Sequence, residues 1–146
     1  MKIVRILIIL FINFSFANAS SIENKILLKI DNEIITTIDV FKETNYLMAL
    51  NSKISEMEKD DIYNISINSL IREKIKKIEI KKNTSKNNFD FDEVYLNGLI
   101  KNTYQKMGFK NLEDFNKHLK IHELEITYIK DKISIVILRA FFNLNL

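Results

Sequence analysis

Lys25-Ile26-Leu27-Leu28-Lys29-Ile30-Asp31-Asn32-Glu33-Ile34-Ile35-Thr36-Thr37-Ile38-Asp39-Val40 is the stretch that decides the fold. Its first part predicts a short β-hairpin over residues 25–36. Ile26, Leu28 and Ile30 alternate with Lys29 on the other face, and Glu33-Ile34-Ile35-Thr36 returns. Asp31-Asn32 between them tolerates the positive φ that a tight hairpin turn requires. At Thr36 the period changes. Thr36 stands three residues before Asp39, the spacing at which a hydroxyl and a carboxylate cap each other's backbone N–H, and a carboxylate there also suits the positive end of the helix dipole. A helix to about Leu50 is expected, with Val40, Phe41, Thr44, Leu47 and Met48 on one side.

Further along, Ser55-Glu56-Met57-Glu58 has the spacing of a second capping box and is expected to open the longest helix, ending near Lys82. Ile67, Leu70, Ile71, Ile75 and Ile78 recur along it at steps of three and four. Its far end is basic, from Arg72 to Lys82, which complements the dipole. Asn83-Thr84-Ser85-Lys86-Asn87-Asn88 is polar and aperiodic and reads as a loop. A third helix from about Asp90 places Leu96, Leu99, Ile100, Thr103 and Met107 together and stops at Gly108, which takes a left-handed conformation without steric cost. Asn111 and Asp114 start a short fourth helix carrying Leu112, Phe115 and Leu119. A fifth runs from about Glu123 with Ile126, Ile129, Ile133, Val136, Ile137 and Ala140 on one side. Ile, Asn and Lys are abundant throughout, so β-branching is a poor strand signal and periodicity carries these readings. The expected fold is mainly α, a small N-terminal β-hairpin followed by about five helices, in one domain over residues 20–146.

Upstream of the hairpin, Lys2 and Arg5 precede the apolar run Ile6-Leu7-Ile8-Ile9-Leu10-Phe11-Ile12, and Ala17-Asn18-Ala19 follows. Charge, apolar stretch and small-x-small site in that order predict a signal peptide, residues 1–19, cleaved after Ala19. The run is shorter than the ~20 residues that span a bilayer. Its loss removes two of the 22 cations, leaving them almost matched by the 19 carboxylates. The basic balance of the whole chain therefore argues little for nucleic acid, and export argues against it. The sequence has no cysteine, so an exported domain is expected to rely on its core without disulfides.

In order and spacing this chain resembles the N-terminal helical domain of the SurA family of periplasmic chaperones and parvulin-type prolyl isomerases. The residues that carry the resemblance are Ile30 to Val40, Ser69-Leu70-Ile71-Arg72-Glu73-Lys74, and Tyr104-Gln105-Lys106-Met107-Gly108-Phe109-Lys110-Asn111-Leu112-Glu113-Asp114-Phe115. They match the family's hairpin with its Ile-Thr-x-x-Asp-Val-like helix start, the Leu-Ile segment of its long helix, and its turn into a Leu-Glu-x-Phe helix. The likeness spans about Lys25 to Asn143. It implies a periplasmic, chaperone-like protein that binds unfolded, aromatic-rich segments of envelope or outer-membrane proteins. In larger members a parvulin domain follows. The sequence stops at Leu146 without one, so neither isomerase activity nor an enzyme of another kind is expected.

Some aromatic and methionine side chains sit near helix ends or off the main stripes, where they offer contact surface. Tyr46, Met48, Tyr104, Met107, Phe109, Phe141 and Phe142 are the candidate peptide-binding residues, because rings offer large contact area and methionine reshapes easily. Each also fits an ordinary place in the core. The alternative function is an interaction module that forms a homodimer or docks on a separate periplasmic partner. The basic run from Arg72 to Lys82 reads as a solvated helix end, with contact to anionic lipid or an acidic client as the other reading. His118 and His122 are the only histidines; two ligands fall short of a zinc site, so no metal is expected. Two glycines exclude a phosphate loop, and no nucleophile elbow or thiol is present. No catalytic residue and no cofactor are expected.

Overall fold

The computed structural model describes residues 23–83 and 93–141. The expected signal peptide, the loop residues from Thr84 onward, the helix start at Asp90 and the segment from Phe142 to Leu146 lie outside the described residues. Within them the chain is mainly helical, with one two-stranded antiparallel hairpin followed by five α-helices.

Strands β1 (Ile26–Ile30) and β2 (Glu33–Thr36) turn at Asp31, whose φ is 53°. The alternation expected for β1 is broken. The register shifts between Ile26 and Leu28, so Leu27 forms a bulge. Leu27 and Ile30 therefore pack inward with Ile35, Val40 and Leu70, while Ile26 is 66% exposed. Helix α1 (Thr37–Leu50) starts with the expected capping box: the Asp39 N–H donates to Thr36 Oγ1 at 3.2 Å, and the Thr36 N–H to Asp39 Oδ2 at 2.8 Å.

The second expected capping box is different. Ser55 lies inside a 3-10 turn, Ser52–Glu56, which Asn51 caps, and its hydroxyl donates to the Ser52 carbonyl at 2.5 Å. Helix α2 begins later, spanning Lys59–Asn83. Ser55 bonds to the nearer carbonyl in place of the helix N–H three residues on.

Helix α3 (Glu93–Lys106) ends at Gly108, φ 88°. There the Phe109 N–H reaches the Tyr104 carbonyl at 3.0 Å and the Gly108 N–H the Gln105 carbonyl at 2.9 Å, the paired bonds of a Schellman ending. Helix α4 (Leu112–Ile121) starts from Asn111, whose Oδ1 accepts from the Asp114 N–H at 2.8 Å. It closes with the same paired bonds, Leu124 to Leu119 and Glu123 to Lys120, but here a glutamate, φ 54°, holds the left-handed position. Helix α5 (Ile126–Phe141) completes the fold.

Three apolar clusters form. The largest joins Ala49 of α1, Ile100 and Tyr104 of α3, Phe115 and Leu119 of α4, Leu124, and Ile129 of α5. The second is the hairpin cluster. The third joins Ile80 of α2 to Ile135 and Leu138 of α5. Four expected stripe positions are exposed: Ile75 at 40%, Leu112 at 43%, Val136 at 63%, and Ala140. No described helix is long and apolar enough to cross a membrane.

Candidate functional site

The feature that organises the molecule is a carboxylate in the interior. Glu43 is completely buried, one turn after Val40 on the inward face of α1. A charge taken out of water is costly unless every oxygen is met. Here the Ser69 hydroxyl donates to Glu43 Oε1 at 2.5 Å, the Tyr128 hydroxyl to Oε2 at 2.9 Å, and the Lys132 ammonium also to Oε2. Lys132 bridges as well to Glu73, which takes a second ammonium from Lys77 at 2.9 Å. No buried side-chain nitrogen or oxygen among the described residues is left without a partner.

Two rings frame the bridging lysine. Tyr46 and Tyr128 meet edge to face with centroids 5.7 Å apart, and Lys132 Nζ lies 5.3 and 5.2 Å from them, within cation–π range. Burial, aided by Glu43 and Glu73, pushes the Tyr46 hydroxyl up to about 12. Burial and the same carboxylates, Glu43 first, push Tyr128 up further. Both hydroxyls thus stay neutral beyond the usual tyrosine range, and that of Tyr128 donates to Glu43. Burial pushes Glu73 up, but Lys132 and Lys77 outweigh it and hold the carboxyl below its ordinary value.

Hydroxyls extend the polar seam between α1 and α2. The Ser66 proton is used on the Ile62 carbonyl at 2.8 Å, so the Thr44 hydroxyl, 2.8 Å away, donates to Ser66. At the hairpin end, Glu33 takes Lys81 at 2.5 Å and Lys74 at 3.2 Å, tying the turn to α2. Lys81 lowers the Glu33 carboxyl most; burial opposes it and Lys74 adds to it.

Above this seam lies a groove. One bay, about 500 Å³, has Glu43, Glu73 and Lys132 among its polar lining, and Leu47, Ile65 and Val136 among its apolar lining. Arg72 and Lys76, one turn apart on α2, also line it. A second bay, about 280 Å³, adjoins at Tyr46, Lys132 and Val136 and runs along α3 past Leu99, Thr103 and Lys106. The groove is thus apolar on exposed walls and ionic at its base.

Of the residues the sequence singled out for contact, Tyr46 lines both bays. Met48 is half-buried on α1 and lines neither. Tyr104 is buried in the largest apolar cluster, with Met107 and Phe109 packed against it. Phe109 lies 5.6 Å from the Phe115 ring, centroid to centroid. Phe141 closes α5, and Phe142 lies outside the described residues. Sequence reasoning missed Glu43, Ser69, Glu73 and Lys132. The available signal was a charge set within an apolar stripe on facing helices: Glu43 between Val40 and Leu47, and Lys132 between Ile129 and Ile135.

The histidines meet at the end of α4. His118 Nε2 donates to the Ala49 carbonyl at 2.8 Å, since that oxygen can only accept, and the two imidazoles lie 4.9 Å apart. Burial first, then the His118 charge, lowers the pKa of His122. Among the described residues no three acidic, histidine or cysteine side chains gather as a metal site. Compared with protein families, curated proteins and solved structures, the chain matches none.

Proposed function

We propose that this chain is a chaperone-like binding protein of the periplasm that holds extended polypeptide in the groove between α1, α2, α3 and α5. The observation that carries the reading is the groove itself: an open, two-bay trough with exposed apolar walls beside a fully paired ionic base. Apolar side chains of a client gain by burial against Ile65, Leu47 and Val136, while its backbone amides meet Asn68 and Asn102, which line the two bays. An open trough of this kind suits many sequences weakly better than one small molecule tightly. Lys132 is committed to two carboxylates and the tyrosines are neutral, so the groove binds and does not supply a nucleophile. The resemblance to SurA-type chaperones, and the predicted export signal, support the same reading.

The test is aggregation of an unfolded outer-membrane protein, followed by light scattering with the chain at near-stoichiometric ratio. Slowed aggregation is expected, and Ile65→Asp/Val136→Asp is expected to abolish the effect while retaining helicity. No slowing at several-fold excess rules the holding role out.

One observation favours a second reading, an interaction module. Ile26, Leu28 and Ile34 of the hairpin are 66%, 37% and 42% exposed, away from the groove lining. Apolar side chains gathered on one exposed element, unlike ones scattered singly, are a feature of docking surfaces. Sizing by light scattering separates the two: a tight obligate dimer favours this second reading.

A further inference from the structure

We propose that the groove selects polypeptide segments in which a carboxylate stands beside an apolar or aromatic side chain, with Arg72 and Lys76 as the pair that takes the carboxylate. This rests on the reading of the groove as a polypeptide site and names the class of segment it prefers.

The argument is one of charge left over. Along α2 the other cations of the basic run are committed: Lys74 and Lys81 to Glu33, Lys77 to Glu73, Lys82 to Glu79. Arg72 and Lys76 form no ion pair among the described residues, and both line the groove. The two acids of that bay, Glu43 and Glu73, are already met by Lys132, Lys77, Ser69 and Tyr128. Neither acid is therefore free to neutralise Arg72 or Lys76. In the second bay Lys106 is likewise without an ion pair among the described residues, and no carboxylate lines that bay. The groove thus offers unbalanced positive charge along its length, and an anionic occupant completes it.

The chemistry of the rim narrows the occupant further. A guanidinium presents a planar fork that takes a carboxylate through two parallel hydrogen bonds, and an ammonium one turn away adds a second charge. Leu47, Ile65 and Val136 line the same bay. An apolar side chain from the same segment covers them and reduces the water around the ion pair, which strengthens it. A concave bay flanked by apolar side chains fits a chain with alternating character.

The test uses the full chain and fluorescence anisotropy of two labelled decapeptides, one alternating Phe with Asp, the other Phe with Asn. The acidic peptide is expected to bind roughly tenfold more tightly at low salt, the size of one charge-assisted pair, and the preference is expected to shrink as salt is raised. Arg72→Gln/Lys76→Gln is expected to bring the acidic peptide's affinity to that of the Asn peptide, so that the variant no longer distinguishes the two. Equal affinity of the two peptides for the unmodified chain overturns the charge selection and leaves the groove reading standing. Binding of neither peptide overturns both. Sedimentation with vesicles of phosphatidylglycerol in phosphatidylcholine, lost in the double variant while the peptides are not distinguished, overturns the inference in favour of a lipid surface.

Discussion

The two halves of this molecule's interior are built from opposite materials. Around Phe115, helices α3, α4 and α5 and Ala49 of α1 meet in the largest cluster of aliphatic and aromatic side chains, with Phe115 and Leu119 fully buried. Around Glu43, the helices α1, α2 and α5 meet through a carboxylate, an ammonium and hydroxyls. On each of these three helices the polar residue stands between residues of two different apolar clusters. Glu43 lies between Val40 and Ala49, Glu73 between Leu70 and Ile80, and Lys132 between Ile129 and Ile135. Apolar contact is non-directional and leaves helices some freedom to slide. Hydrogen bonds to a buried charge do not, because a shifted helix leaves the charge unmet. The apolar half holds the fold together, and the ionic half sets how three helices lie against one another beneath the groove.

That contrast can be broken from either side. Phe115→Ala is expected to have the largest effect, a loss of about 4 kcal/mol by urea unfolding, from lost transfer and a cavity in a closed core. No single neighbouring change should restore it. Lys132→Met is expected to cost about 3 kcal/mol, because Glu43 remains buried with its charge unmatched. Here a second change does help. Glu43→Gln in the Lys132→Met background removes the orphaned charge; its amide oxygen accepts from one of the Ser69 and Tyr128 hydroxyls and its amide nitrogen donates to the other, so most of the loss should return. If the double variant is as unstable as the single one, the ionic junction does not act as a pair.

Acid sharpens the comparison further. Glu73 and Glu33 are held below the ordinary carboxylate value of 4.5 in the folded chain. Unfolded chains therefore bind protons first as pH falls, and the stability these groups contribute is present above pH 4.5 and lost as pH drops through their folded values. The urea midpoint should fall below pH 4.5, and Glu73→Gln should flatten that limb while Phe115→Ala shifts the whole curve without changing its shape. The smallest effect lies at a helix end. Glu123 occupies the left-handed position that glycine fills at the end of α3, so Glu123→Gly should raise the thermal midpoint, by about 0.5–1 kcal/mol in stability. An unchanged or lowered midpoint would show that the glutamate side chain contributes more than its strain.

Much of the local structure was legible from residues. The hairpin turn at Asp31-Asn32, the Thr36–Asp39 capping box, the end of α3 at Gly108 and the start of α4 at Asn111 all follow from signals spanning three to five positions. Where a neighbour elsewhere in the chain intervened, the reading changed. The bulge at Leu27 turned Ile26 outward, because packing against Leu70 selects Leu27 and Ile30. Val136 shared the expected stripe of α5, yet Ile135 and Leu138 take the inward positions by meeting Ile80. The candidate site was the least legible part. Tyr46 was chosen for its ring and does line the groove, but Glu43, Ser69 and Lys132 beside it were not singled out, and Glu73 fell within the run read as a solvated helix end.

The start of α1, the end of α3, the start of α4 and the order of the described elements were therefore written in the sequence by itself. A cap or a left-handed ending is a contract between residues within one turn of each other and needs no knowledge of the rest. Which charge is buried, and what covers it, was decided only in three dimensions. Glu43 and Lys132 are separated by 89 positions; the apolar stripe around each hints at burial, but that they meet is decided only when α1, α2 and α5 close around them and water is no longer available to solvate either one.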